Sequence, residues 1–308
     1  MHVAVVGTGY VGLVSGACFS EFGHHVTCVD KDEKKIEGLK QGEMPIYEPG
    51  LQKLVENNAE AGRLKFTTDL AEAMKGADAV FIAVGTPSRR GDGHADLSFV
   101  YAASEEIAHA IEGYTVVVTK STVPVGTGAE VEKIIRDARP DADFDVVSNP
   151  EFLREGAAIE DFMRPDRVVC GVESAAAEAV MRDIYRPLSL REAPVMFTTL
   201  ESAEIIKYAA NAFLATKISF ANEISQMCEL FGADVREVLP AIGADHRVGK
   251  AFLNAGVGWG GSCLEDVCCY QGVLLYHIQL LLFLNSHEAV IERRHCLQHL
   301  EIVTSRIP

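Results

Sequence analysis

The chain holds few cations for its size. Lys and Arg number 28 against 44 Asp and Glu, giving a net charge of −16 over 308 residues. Nothing in that balance offsets phosphate repulsion, so nucleic acid is excluded as an expected partner. Its eight cysteines include no C-x-x-C pair, which argues against a structural zinc site and a disulfide framework; no metal is expected. The first residues run straight into an apolar segment, Val3-Ala4-Val5-Val6, without a basic n-region, so no secretory leader is expected. Residues 267–284 come nearest to a long apolar run. Gln271, Gly272, His277 and Gln279 interrupt it, which favours a buried helix over a membrane span. These absences lead us to expect a cytoplasmic protein with reduced, buried cysteines.

What is present is an alternation. Apolar runs Val3–Val6, His25–Val29, Ala79–Val84, Thr115–Thr119 and Phe144–Val147 read as strands, with helical patterns at 10–22, 31–39, 98–111 and 127–138 between them. Arg167–Gly171 and Val195–Thr198 continue the series. Such a pattern predicts an α/β fold, a Rossmann-type doubly wound parallel sheet over residues 1–199. From Glu201 to Phe231 there is neither Gly nor Pro, and Gly232 follows as a stop. A helix of that length, about 45 Å, is too long for a crossover. We expect it to open a second unit, 200–308, made of a central helix and a small helical domain, with a shorter helix at 234–242.

Gly7-Thr8-Gly9-Tyr10-Val11-Gly12 follows a strand and opens a helix, and Asp30 ends the next strand 18 residues after Gly12. In that setting the glycines let backbone approach a pyrophosphate, and Asp30 accepts from ribose hydroxyls while repelling a 2′-phosphate. NAD is therefore the expected cofactor. A tight turn alone would use the same glycines. Val84-Gly85-Thr86-Pro87 and Ser121-Thr122-Val123-Pro124 end later strands, placing Thr86 and Thr122 at the ligand crevice, although each also suits a polar turn.

Lys207 and Asn211 lie four apart on the long helix, in a largely apolar turn, and can stabilise negative charge on one oxygen. The alternative is a solvated helix surface. Asn149-Pro150-Glu151-Phe152-Leu153-Arg154-Glu155 follows a strand end; Glu151 suits a base for a hydrolytic water and Glu155 a positioning group, while a plain helix start explains the same letters. Phe252-Leu253-Asn254-Ala255-Gly256 suits a backbone wrap around substrate, and Arg247 an anionic contact. Cys263 follows Gly258-Trp259-Gly260-Gly261-Ser262, a thiol in a nearly bare loop. Beside a nicotinamide site, a thiolate can carry an aldehyde through a hemithioacetal to a thioester, which suits a two-stage oxidation.

GTGYVGL, Glu48-Pro49-Gly50-Leu51, VGTP, STVPVGT, NPEFLREG, NAFLATKISFANEI and GWGGSC occur in an order that resembles the UDP-glucose 6-dehydrogenase family, over residues 1–263. The resemblance implies oxidation of UDP-glucose to UDP-glucuronate with two NAD, and a homodimer built on the 200–231 helix. It makes Cys263 the nucleophile, Lys207 and Asn211 the oxyanion holders, Thr122 the residue that positions water, and Glu151 an aid to thioester hydrolysis. It places Tyr10, Val11, Lys35, Thr86 and Glu155 at the cofactor. It lines the sugar-nucleotide site with Phe152, Leu153, Arg154, Glu155, Phe252, Leu253, Asn254, Gly256 and Gly260, and sends Arg247 to the substrate of a partner subunit. After its cysteine the family continues Phe-Pro-Lys-Asp, where this chain reads Leu264-Glu265-Asp266-Val267. Deleting one residue sets Asp266 on the family's catalytic aspartate. The expectation is a chain without the family's third, UDP-binding domain. The rival readings are a dehydrogenase of GDP-mannose or a UDP-N-acetylhexosamine, and an NAD-binding protein without turnover.

Overall fold

A computed structural model describes residues 1–87, 89, 94–189 and 193–256. It divides into two compact units, Met1–Ala210 and Asn211–Pro308, so the division falls inside a helix rather than in a linker.

The first unit is built on eight strands: β1 (His2–Val6), β2 (His25–Val29), β3 (Leu64–Thr67), β4 (Ala79–Ile82), β5 (Thr115–Thr119), β6 (Phe144–Ser148), β7 (Val168–Gly171) and β8 (Val195–Thr198). Their spatial order is β3-β2-β1-β4-β5-β6-β7-β8. Side chains alternate across a strand, and the central strands β1, β4 and β5 are covered on both faces, so their middle residues are apolar. Val3 and Val5 enter one core and Ala4 the other; Phe81 and Ile82 divide likewise, as do Val118 and Val117. One pairing departs from the expected parallel sheet. β6 and β7 run antiparallel, meeting at Ser148 and Gly171.

Around the sheet lie α1 (Tyr10–Glu21), α2 (Glu33–Lys40), α3 (Leu51–Glu60), α4 (Leu70–Met74), α5 (Ser98–Ala110), α6 (Thr127–Ala138), α7 (Ala158–Met163), α8 (Ala175–Ile184) and α9 (Arg186–Ser189). Several starts are written in the sequence: Asp32, Asp69 and Ser174 each accept a backbone N–H of the turn they open. α6 has no cap of its own, because its N-cap is Gly126 at φ +94°. Glu204 supplies one from far along the chain, accepting from Gly126 N–H at 2.7 Å and Gly128 N–H at 2.9 Å.

Glu204 sits on α10 (Leu200–Phe231), 32 residues without a break, which ends at Gly232 with φ +70°. The second unit takes the rest of this helix from Asn211, then α11 (Val235–Gly243), capped by Asp234. Within it Lys217 Nζ donates to the Val248 carbonyl at 3.1 Å and Gly256 N–H to Asn222 Oδ1 at 2.9 Å.

Some expectations need correction. The alternation missed α3, β3 and α4, which lie between β2 and β4, and also α7 and α8. The strand expected to reach Val84 ends at Ile82. No helix starts at Pro150-Glu151; the first helical residue after them is Ala158. The apolar run 267–284 lies outside the described residues, among which no helix is long and apolar enough to cross a membrane.

Candidate active site

The strand order reverses beside β1, since β2 and then β3 lie on one side of it and β4 to β8 on the other. Ligands of open α/β sheets bind at such a switch point, outside the carboxyl ends of the strands. The turn from β1 to α1 sits there, and its three glycines do different work. Gly7 has φ +102°, and a Cβ on it would lie 2.6 Å from the Ala83 carbonyl. A Cβ on Gly12 would lie 2.0 Å from the Gly7 carbonyl, so this glycine lets the helix close on the turn. Around Gly9 a Cβ would meet nothing within 4 Å. The space beside Gly9 is open, α1 carries no acidic residue in its first turn, and no side chain caps it. Those features fit a pyrophosphate held by backbone N–H groups.

Asp30 is tied to the same turn. Its Oδ2 accepts from Thr8 N–H at 2.9 Å, Thr8 Oγ1–H at 2.7 Å and Lys35 Nζ at 3.0 Å. Burial works to raise its pKa, but the bonds from Thr8, Asp32 N–H and Lys35 outweigh burial and hold it below the usual value. A carboxylate fixed in this way suits a ribose diol and opposes a 2′-phosphate. Lys35 stands in the structure as the ionic partner of Asp30.

On the other side of the switch point Thr86 Oγ1 donates to the Thr122 carbonyl at 3.1 Å, and Ser121 Oγ to the Val84 carbonyl at 2.7 Å. The two threonine-bearing turns are thus stitched together. A cleft lies at the ends of β5 and β6, lined by Thr119, Ser121, Val123, Ser148, Pro150, Glu204 and Lys207.

Lys207 reaches this cleft from α10, and its Nζ meets Glu151 Oε1 at 2.9 Å. Both side chains are buried, 5% and 2% exposed. The other oxygen of Glu151 accepts from Leu153 N–H at 2.6 Å. The ring of Phe152 meets two cations, with Lys207 Nζ 5.3 Å and the Arg167 guanidinium 3.7 Å from its centroid. Asn211, the residue one turn after Lys207, is buried.

The remaining expected residues are placed as follows. Arg154 pairs with Asp161 at 2.6 Å and is largely exposed. Arg247 pairs with Asp245 two residues before it. Glu155 is exposed, and Tyr10 and Val11 open α1 half-buried. In the second unit Leu253 is buried, Asn254 and Gly256 are exposed, and Phe252 takes a left-handed conformation at φ +62°. Cys263, Asp266 and Gly260 lie outside the described residues.

Sequence reasoning assigned no role to a buried group beside Glu151. Lys120 donates to Asn149 Oδ1 at 3.1 Å and to Tyr185 Oη at 3.2 Å, and Tyr185 donates to the same Asn149 oxygen at 2.6 Å. Burial pushes the Lys120 ammonium down to about 8, against an upward pull from Glu151. No local spacing marks Lys120, because its partners lie 29 and 65 residues away.

A glycine turn at the switch point, an acid fixed at the end of the second strand and an open approach to a helix N-terminus define a Rossmann-type dinucleotide-binding protein. The comparisons agree. Residues 1–189 match the NAD binding domain, and residues 201–271 the central domain, of the UDP-glucose/GDP-mannose dehydrogenase family. The chain belongs to that family, and the cofactor of its first domain is NAD. It is 63% identical over 265 residues to the UDP-glucose 6-dehydrogenase of Rhizobium meliloti (strain 1021), covering 85% of this chain and 61% of that protein. A solved UDP-glucose dehydrogenase from Pyrobaculum islandicum superposes with a TM-score of 0.84 at 41% identity, over 89% of this chain and 64% of the other. A GDP-mannose dehydrogenase from Pseudomonas aeruginosa gives 0.77 at 38%, over 91% and 65%. The chain spans about three fifths of the length of the curated relatives it matches.

Proposed function

We propose that this chain carries the cofactor and reaction centre of an NAD-dependent UDP-glucose 6-dehydrogenase, which makes UDP-glucuronate in two oxidations. The buried Lys207–Glu151 pair at the strand ends supports this reading most directly, and the 63% identity to a protein of that name favours UDP-glucose over other nucleotide sugars. Gly7, Gly9, Gly12 and Asp30 would hold NAD, with Thr86 and Thr122 on the far side of the crevice. When bound, NAD supplies the hydride acceptor for each oxidation.

This chain's own groups do the rest. Glu151 takes up one N–H of Lys207 and fixes its direction, leaving the other two for a substrate oxygen. As the first hydride leaves, the alcohol proton passes to a water molecule and on to solvent, and an aldehyde forms. The Cys263 thiolate then adds to that carbonyl, with Lys207 and Asn211 donating to the oxyanion. Loss of the second hydride leaves a thioester. Water positioned by Thr122, its proton taken by Glu151, releases the carboxylate and returns the thiol. The roles of Asp266 at this step and of Phe152 to Glu155, Arg247, Phe252 to Gly256 and Gly260 in holding the sugar nucleotide are part of the same proposal. So is the division of labour between residues 1–199 and 200–308.

We also propose a homodimer through α10. On that helix Phe213, Phe220 and Met227 recur every seven residues and are 64%, 45% and 51% exposed. That spacing makes one apolar seam for a second copy. Free cysteines at 18, 28, 170 and 228, all buried, support a reducing, cytoplasmic setting.

The test is stoichiometry. Purified protein given UDP-glucose and excess NAD is expected to form two NADH per UDP-glucose, and Cys263→Ala is expected to stop before the acid. Full conversion to the acid by the Cys263 variant would remove the thioester step. Turnover of GDP-mannose alone would change the substrate.

A further inference from the structure

Glu48 belongs to neither the cofactor turn nor the substrate segment, yet its carboxylate joins them. It is 5% exposed, although its neighbour Tyr47 is 88% exposed. Oε2 accepts from the Tyr10 hydroxyl and from Gly156 N–H at 2.8 Å, and Oε1 accepts from Ala158 N–H at 2.8 Å. Gly156 N–H also lies 3.2 Å from the Tyr10 oxygen. Tyr10 is the first residue of α1, next to the open space at Gly9. Gly156, at φ +85°, closes the stretch that begins at Glu151. One buried carboxylate therefore spans three segments that are 38 and 108 residues apart in sequence.

The three donors to Glu48 are a hydroxyl and two backbone amides, all uncharged. Ala158 N–H serves Oε1, while Oε2 takes both the Tyr10 hydroxyl and Gly156 N–H, so a shift at either partner of Oε2 is felt by the other through one shared acceptor. Tyr10 keeps its proton throughout the neutral range, because burial and then the bond to Glu48 raise its pKa well above the ordinary value. A ligand that settles against the start of α1 fixes Tyr10. Through Glu48, fixing Tyr10 fixes the amides of Gly156 and Ala158.

We propose that the Tyr10–Glu48 hydrogen bond is a positioning link that transmits NAD occupancy of the glycine turn to the segment 151–158. That segment carries Glu151, the partner of Lys207, so the cofactor prepares the ground for the sugar nucleotide. The link rests on the reading of the glycine turn as the NAD site. Its test uses NAD alone, so failure of UDP-glucose oxidation would not touch it.

Amide hydrogen exchange of the full chain, with and without saturating NAD, reads the link. In the unmodified chain NAD is expected to slow exchange at Gly156 and Ala158 by about 5-fold or more, the lower end of typical site-to-site coupling. Tyr10→Phe keeps the ring and removes only the bridging hydroxyl. In it, with NAD raised until its binding saturates, exchange at these amides is expected no longer to respond. Glu48→Gln is the second variant and should behave alike. A purely structural bond would speed exchange equally with and without NAD. The proposal is overturned by NAD-dependent slowing retained in both variants, by none in the unmodified chain, or by loss of NAD binding in both, which would put the hydroxyl and carboxylate inside the cofactor site.

Discussion

Lys207 and Glu151 hold each other at 2.9 Å in a setting that leaves neither exposed by more than 5%. A buried pair is weak evidence for stability as such, but removing one member strands the other charge. Lys207→Met and Glu151→Leu are each expected to cost about 3–5 kcal/mol in urea unfolding, and the double variant to recover more than half of the summed loss. Additive losses would mean that the two groups act independently.

The glycines of the turn should separate folding from binding. Gly12→Ala drives a Cβ to 2.0 Å from the Gly7 carbonyl, whereas the same change at Gly9 meets no protein atom within 4 Å. Calorimetry is expected to show a large fall in Tm for Gly12→Ala and almost none for Gly9→Ala. Titration calorimetry of Gly9→Ala is expected to show NAD affinity reduced about 10-fold or more, the cost of about 1.4 kcal/mol of lost approach.

Lys120 should make stability rise with pH over a window where most lysines are silent. Its pKa falls from 10.5 to about 8 on folding, so between those values the unfolded chain binds a proton that the native chain does not. Stability from this group is therefore lowest below pH 8 and climbs until about 10.5, by on the order of 3 kcal/mol. Burial raises the thiols of Cys18, Cys28 and Cys170, and those groups act in the opposite sense as pH rises. The difference between the unmodified chain and Lys120→Met reports the lysine together with its pull on the Cys18 and Cys170 thiols, which Lys120 lowers and whose loss acts in the same direction. That difference is expected to grow in favour of the unmodified chain from pH 7.5 to 10.5 in chemical denaturation, and a flat difference would contradict it.

The apolar series on α10 makes the proposed dimer testable. Phe220→Glu places a charge at the middle of the Phe213, Phe220 and Met227 series. Sedimentation is expected to shift from dimer to monomer, with the sheet domain's far-ultraviolet signal unchanged.

Much of the sheet was legible because its strands are buried on both faces and so stand out as apolar runs. The short stretch from Leu51 to Met74 was not, since α3, β3 and α4 are brief and polar on one side. At the site, the glycine turn and Asp30 could be read because they act on neighbours in sequence. Glu48 was visible only as part of Glu48-Pro49-Gly50-Leu51, without a role. Lys120 and Glu204 carried no signal. Their partners come from strands and turns that only folding brings near, and no spacing rule reaches across 29 to 78 residues.

The cap that Glu204 lends to α6 has a practical consequence for dissection. A fragment cut after Thr199, where the sheet is already complete, would contain every strand and still lack the acceptor for Gly126 and Gly128. The smallest autonomous cofactor domain must therefore include the first turns of the long helix, and shorter excisions should be prone to proteolysis between Val125 and Gly128.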